Sequence, residues 1–296
     1  MITLEIKNFD LQQIANSGQC FRMRRLPDTD ALYKDPSAIG YAVISGEHYL
    51  EISQSGNFFT FRCSDEEVPF WYRYFDLGTD YSHFITTVKK KDLYLQKAAE
   101  AGSGIHILNQ DPWEMIVTFI ISQQKTIPKI KETVEALSRS YGTKITVHES
   151  IIYAFPSAAQ LCAASLEDLK SLKLGYRSKY IYKICHDGAD GHLNLSHLAL
   201  MEYEDAMKYL TGFYGIGTKV ANCICLFGLH HINAFPVDTW IEQILLAHYY
   251  KKKYDTIPKN QLFSTIIKDN FSFYKGYAGL MQQYIFYYER LSRDKI

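Results

Sequence analysis

No stretch of this 296-residue chain is apolar for long enough to span a membrane, and Met1-Ile2-Thr3-Leu4-Glu5 lacks the layout of a secretory signal. A soluble, cytoplasmic protein is expected. An excess of charge of one sign is missing too, since 32 Lys and Arg balance 32 Asp and Glu. That counts against a generic nucleic-acid binder, whose charge is basic overall. Cysteine is sparse. The six (Cys20, Cys63, Cys162, Cys185, Cys223, Cys225) are scattered without metal-ligand spacing, so reduced thiols and no metal are expected. Internal repeats, low-complexity tracts and flexible linkers are likewise absent.

What is present is a packable chain, 47% hydrophobic and 15% aromatic, long enough for two or three subdomains. Basic residues gather locally. Lys125, Lys129, Lys131, Arg139 and Lys144 form one cluster; Lys170, Lys173, Arg177, Lys179 and Lys183 form another. A charged groove on a neutral body would bind polyanions with only moderate salt sensitivity. The short runs Lys89 to Lys91 and Lys251 to Lys253 read as solvated surface.

Up to about residue 75 the pattern is that of strands. Tyr41 to Ile44, Tyr49 to Ile52 and Phe58 to Arg62 are β-rich and joined by Gly turns, with Leu4 to Ile6 and Cys20 to Arg24 expected beside them. From Trp71 the periodicity is helical throughout. Asp111-Pro112-Trp113-Glu114 reads as a capping box with proline at the first helical position. The helix that follows is apolar nearly all round, hence central. It ends at the polar tip Ser122-Gln123-Gln124-Lys125, and Pro128 restarts a helix. Ser165 to Asp168 opens another helix, Leu174-Gly175-Tyr176-Arg177 interrupts it, and 187–191 reads as a loop. The last helix runs from about Tyr277 to Leu291. The expected class is α+β: an antiparallel sheet domain with a helical appendage over residues 1–100, then an all-helical domain over 101–296.

The stretch from Ala206 to Trp240 organises the rest. Met207, Leu210 and Phe213 are spaced as on a helix, Gly215-Ile216-Gly217 breaks it, and Val220, Ile224 and Phe227 restart it. Two helices joined so tightly make an αα-hairpin, about 204–229. The amides of Gly215, Gly217 and Lys219 are left at the positive end of the second helix, an anion site that suits a phosphate. Lys219 stands in the first turn, where the dipole disfavours a cation. Pro236-Val237-Asp238 then leads to an N-capping aspartate. A phosphate-binding loop is the rival reading, but it needs Gly-Lys-Thr after a strand, and here Thr218 precedes Lys219 after a helix.

The hairpin with Gly215, Gly217 and Lys219, followed by Pro236-Val237-Asp238, resembles the helix-hairpin-helix (HhH-GPD) DNA glycosylases. The wording GxGTKVAxC…PVD, with Ser17-Gly18-Gln19-Cys20-Phe21-Arg22 upstream, resembles the 8-oxoguanine DNA glycosylase branch, and the likeness can be followed from Ser17 to about Glu289. It implies a bifunctional glycosylase and abasic-site lyase acting on duplex DNA that contains 8-oxoguanine, as a monomer. Some relatives carry an iron–sulfur cluster near the C-terminus. No cysteine follows Cys225, so no cluster and no other cofactor is expected, a monovalent cation at the hairpin being left open.

The chemistry such a protein performs needs a neutral amine to attack C1′ and form a Schiff base. At a reference pKa near 10.4, only about one lysine in a few thousand is neutral at pH 7. A shift of about three units, worth roughly 4 kcal/mol, would change that, and burial and a helix N-terminus both push that way. Lys219 is the candidate nucleophile. Asp238 would stabilise the cationic sugar and move protons, although it also favours a charged lysine, so the two effects compete. By resemblance, the carbonyl of Gly18 accepts from the N7–H that distinguishes 8-oxoguanine from guanine; taken locally, Gly18 is a turn before a strand. Cys223 and Phe286 match the residues that sandwich the flipped base, and Gln282 the one that reads its Watson–Crick edge. Gln124 is the candidate plug for the vacated stack, where the branch usually has asparagine. Tyr176 and Arg177 match the residues that wedge beside and read the partner base. Lys129 stands where the branch has arginine and cannot make a planar bidentate contact. Trp240 stands where the branch has a histidine that contacts the flipped nucleotide's phosphate. The alternatives are a glycosylase for alkylated bases, whose members generally lack the lysine, and a non-catalytic hairpin module that only holds DNA.

Overall fold

The computed structural model describes residues 1–27, 37–147 and 150–293. The N-terminal part comprises β1 (Ile2–Glu5), α1 (Leu11–Asn16), β2 (Met23–Arg25), β3 (Ile39–Ser45), β4 (His48–Ser55), β5 (Phe58–Arg62), α2 (Val68–Tyr74), α3 (Tyr81–Thr86) and α4 (Leu93–Ala101). There follow α5 (Pro112–Ser122), α6 (Ile127–Tyr141), β6 (Lys144–Val147), β7 (Ser150–Tyr153), α7 (Ala158–Leu161), α8 (Leu166–Ser171) and α9 (Arg177–Ala189). The remaining helices are α10 (Leu195–Leu198), α11 (Tyr203–Thr211), α12 (Thr218–Phe227), α13 (Thr239–Tyr249), α14 (Lys259–Phe271) and α15 (Ala278–Arg293).

The first five strands form one antiparallel sheet in the order β1-β5-β4-β3-β2. Side chains alternate across it, so Val43, Leu50, Ile52, Phe59 and Phe61 share one buried face. Phe9, Leu11 and Ile14 from around α1 and Trp71, Tyr74 and Phe75 from α2 close over that face. Burial of so many large apolar groups holds the layer together, at roughly 1.5–3 kcal/mol each. The segment Cys20 to Arg24, expected as a strand, pairs only from Met23. Gln19 explains the delay: its Nε2 donates to His106 O (2.8 Å), its Oε1 accepts from Leu108 N (2.9 Å), and its carbonyl accepts from Gln110 Nε2 (2.9 Å). The chain at Gly18 is therefore tied to the 106–110 segment rather than to the sheet.

Helices from α3 onward share a second core. Helix α5 sits at its centre, buried from Trp113 to Ile121 on every side. Only half of its expected capping box forms. Asp111 accepts from the Glu114 amide (2.7 Å), but Glu114 turns inward beside Arg22, and burial pushes its carboxyl up to about 7. The all-helical expectation fails at β6–β7, a two-stranded hairpin in register from Lys144↔Tyr153 to Val147↔Ser150. Its β-branched residues (Ile145, Thr146, Val147 and Ile151, Ile152) favour a pleated surface. The loop expected at 187–191 fails too, because α9 runs through Ala189. Lys183 and Asp187 pair one turn apart (2.5 Å), which supports another helical turn. Among the described residues, no helix is long and apolar enough to cross a membrane.

Candidate functional site

Helices α11 and α12 form the expected hairpin, joined by residues 212–217. Gly215 is required there twice over. Its φ is +93°, and a Cβ on it would lie 2.4 Å from Cγ of Tyr180 on α9. The close approach is thus to a side chain of α9, not between the two hairpin backbones. Gly217 is the N-cap of α12 at φ −90°, and nothing lies within 4 Å of the place its Cβ would take. No protein group requires glycine at 217; the open backbone faces outward. The first amide bonded back within α12 is that of Ala221, to Gly217 O, which leaves the amides before it at the helix's positive end.

Lys219 is the second residue of α12, half-buried, with its ammonium 5.5 Å over the ring of Phe119. Asp238 caps α13 with one oxygen. Its Oδ1 accepts from the amides of both Trp240 (3.1 Å) and Ile241 (2.8 Å), so the cap does not engage Oδ2. One turn beyond Lys219 on α12 lies Cys223, a buried thiol. Burial raises its pKa; the Lys219 ammonium, also in hydrogen-bond reach, lowers it and the Asp238 carboxylate raises it. Nucleophile and carboxylate candidates therefore both act on the charge of one buried sulfur.

Asn222 is a positioning residue that sequence reasoning misses. Its Oδ1 accepts from Tyr203 Oη (2.7 Å) and from the Phe235 amide (3.2 Å), and its Nδ2 donates to Thr218 O (3.0 Å). One side chain thereby ties α11, the start of α12 and the segment leading to Asp238. The available signal is a polar residue at a helix position otherwise surrounded by apolar neighbours.

The base-binding candidates adjoin this floor. Gly18, at φ +79°, lies so close to Phe286 that a Cβ would meet its Cε1 at 3.0 Å. The Phe286 ring packs on Trp240 at 5.4 Å, and Trp240 follows Asp238 by two residues. Arg290 of α15 donates to Asn16 O (2.7 Å), tying the helix that bears Phe286 to the Gly18 segment. Gln282 is buried, and its Oε1 accepts from Gln283 Nε2 (2.8 Å). Gly18, Phe286, Trp240 and Asp238 follow one another in contact, and Asp238 and Lys219 both act on the charge of Cys223. Phe286 thus rests against Gly18. A cavity of about 790 Å³ between β2–β3, α6 and β7 is lined by none of these residues.

On the neighbouring rim, Gln124 is exposed at φ +51° on the turn between α5 and α6. Gln123 anchors that turn: its Nε2 donates to Gly215 O (3.0 Å), and its carbonyl accepts from Arg177 Nε (2.7 Å) and Nη2. Arg177 is accordingly buried, stacked 4.5 Å over Tyr176 and also donating to Leu174 O, whereas Tyr176 is exposed. Lys129 is exposed and paired with Glu132 (2.7 Å). Trp240 is half-buried; its indole N–H is buried without a partner, and Arg293 stacks on the ring at 4.6 Å.

The family described as 8-oxoguanine DNA glycosylase, N-terminal domain, matches residues 1–116, and the HhH-GPD superfamily of base excision DNA repair proteins matches 117–264. The N-glycosylase/DNA lyase of Saccharomyces cerevisiae is 30% identical over 211 residues, which is 62% of this chain and 56% of that protein. A counterpart from Arabidopsis thaliana is 30% identical over 202 residues, 67% of this chain and 55% of the relative. The matched part thus spans little more than half the length of these relatives. Among solved structures, the Clostridium acetobutylicum 8-oxoguanine glycosylase/lyase bound to duplex DNA with cytosine opposite the lesion superposes with a TM-score of 0.86 at 30% identity, covering 100% of this chain and 99% of that one. A 3-methyladenine DNA glycosylase from Archaeoglobus fulgidus shares the fold at 18% identity and a TM-score of 0.72, covering 98% of this chain and 99% of that one.

Proposed function

Because this chain belongs to the 8-oxoguanine DNA glycosylase branch of the HhH-GPD superfamily, we propose that it excises 8-oxoguanine from duplex DNA and then cleaves the abasic strand. The observation that carries the proposal is the placement of Lys219 in the first turn of the hairpin's second helix and of Asp238 at the N-cap of α13, both near enough to the buried Cys223 to act on its charge. A phosphate of the lesion strand binds the outward amides of the hairpin turn, with Gly217 leaving them uncovered. The damaged nucleotide flips out, at a cost of a few kcal/mol that Gln124 offsets by filling the gap. The Phe286 ring swings off Gly18, and the base enters between Phe286 and Cys223. There the Gly18 carbonyl accepts from N7–H. Guanine would face that carbonyl with a lone pair, and such an unmade bond costs about 1–3 kcal/mol. Gln282 reads the Watson–Crick edge.

Lys219 gives up its proton and attacks C1′, the C1′–N bond breaks, and the base leaves. Asp238, with Oδ2 not engaged by the helix cap, stabilises the cationic sugar and relays the proton. Opening of the sugar ring in the adduct gives the Schiff base; a C2′ proton is then removed, the 3′ phosphate is eliminated and the strand is cut. The chemistry needs no cofactor and no second copy of the chain. Borohydride trapping on duplexes containing 8-oxoguanine tests it. A covalent adduct is expected with the native protein and none with Lys219→Gln; an undiminished adduct in the variant would remove Lys219 as the nucleophile.

A further inference from the structure

Some distance along α9 from Tyr176 and Arg177, the fold assembles three soft donors that sequence spacing keeps apart. Cys162 caps the C-terminus of α7, and Cys185 and His186 lie in the second half of α9. One donor atom from each lies within 4.8 Å of the other two, and Cys185 Sγ is 3.5 Å from His186 Nδ1. All six cysteines are free. Cys185 is buried, whereas Cys162 and His186 are half-buried, so the cluster has a dry side and a side open to solvent.

We propose that Cys162, Cys185 and His186 bind a borderline-soft divalent cation of the zinc type, with water as the fourth ligand. Bonds of about 2.3 Å to sulfur and about 2.0–2.1 Å to nitrogen in a tetrahedron set S···N edges near ~3.6 Å and S···S edges near ~3.8 Å. The 3.5 Å spacing of Cys185 and His186 already matches such an edge. The third vertex needs a contraction of no more than ~1.2 Å from the 4.8 Å limit, which a rotation of the half-buried Cys162 supplies.

In the ion-free arrangement the carbonyl of Tyr182 accepts from both Cys185 Sγ (3.1 Å) and His186 Nδ1 (2.7 Å). On binding, the cation takes the place of the two thiol protons, which pass to solvent, and the imidazole proton moves to Nε2. The Tyr182 carbonyl keeps its place in the helical ladder. Two thiolates balance the charge of the cation, so the site is neutral once filled. The site would staple α7 to α9, the helix whose start carries Tyr176 and Arg177, and it lies outside the chemistry proposed above.

The test uses tag-free, fully reduced protein, first stripped with a chelator and then titrated with Zn²⁺ or Co²⁺. One equivalent of Zn²⁺ is expected to bind and to raise Tm, and Co²⁺ is expected to give a thiolate-to-cobalt charge-transfer band. Cys162→Ser and His186→Ala, both at half-buried positions, are each expected to weaken binding by at least roughly tenfold, since even outer-shell changes cost 10–100-fold. No stoichiometric binding, or binding that survives both substitutions, would overturn the assignment. So would a thiol count of four in the air-exposed native protein, which would make Cys162 and Cys185 a disulfide pair. Trapping by Lys219 is expected to be unchanged in His186→Ala, which keeps this result separate from the glycosylase reading.

Discussion

The floor beneath Lys219 and the rim around Gln124 are held in different ways. On the floor, backbone elements fix the functional groups: Asp238 caps α13 with two bonds, Asn222 ties three segments with three, and Cys223 is packed between them. On the rim, exposed side chains stand on a turn. Gln124 sits at φ +51°, and Lys129 is held only by an exposed pair with Glu132, a type worth about 0–1 kcal/mol. Bond-breaking geometry tolerates little displacement, because a misplacement of about 1 Å can cost on the order of a hundredfold in rate. Reading the partner base is a matter of side-chain identity. Two of the three departures from the family pattern, Gln124 and Lys129, lie on the rim; the third, Trp240, packs on Phe286.

The largest effect that would sharpen this contrast is at Asp238. Asp238→Asn keeps an acceptor for the Trp240 and Ile241 amides, so Tm should hardly move, while excision of 8-oxoguanine should fall by on the order of 10²–10⁴-fold. Asp238→Ala should lose the cap as well, about 1 kcal/mol of stability. If the Asn variant kept native rates, the carboxylate would be a structural cap alone. Next in size is Asn222→Ala. It strands the Tyr203 hydroxyl and the Phe235 amide, at about 1–3 kcal/mol for a group left buried and unpaired, while the Thr218 carbonyl keeps its place in the helical ladder. A thermal scan should show Tm lower by several degrees, with trapping yield falling alongside it. An unchanged Tm would mean that the floor is not held as the hydrogen bonds suggest.

Much of the floor is legible in the amino-acid sequence, because turns and caps have local chemistry: Gly215 before a helix and Asp238 after Pro-Val both announce backbone geometry. Asn222 is not legible, since its three partners come from separate segments and only the fold brings them together. Alternation and Gly turns yield the antiparallel strands of the sheet, without their register. The hairpin at β6–β7 escapes notice because two four-residue strands are too short to stand out against flanking helices. Asp187 to Ala189 reads as loop because Gly188 looks like a breaker, yet the Lys183–Asp187 pair and the packing of α9 outweigh a glycine cost of about 1 kcal/mol. Arg177 shows a further limit. Its type suggests a base reader, but here its guanidinium points inward onto the carbonyl of Gln123 and holds the turn that presents Gln124.

The smallest expected effect lies on the rim and bears directly on the contrast. Lysine at 129 offers a point charge on a flexible stem, so native protein should excise 8-oxoguanine at rates within a fewfold of one another opposite cytosine, adenine, guanine and thymine. Lys129→Arg introduces a planar fork able to donate to the oxygen and nitrogen acceptors of cytosine together. It should raise the preference for cytosine by about five- to tenfold, roughly 1 kcal/mol, with Tm unchanged because the Glu132 pair is exposed. Single-turnover excision on the four duplexes measures this. A strong cytosine preference in the native protein would locate partner reading elsewhere. The nearest group able to take it over is Arg177, which would first have to leave the Gln123 carbonyl.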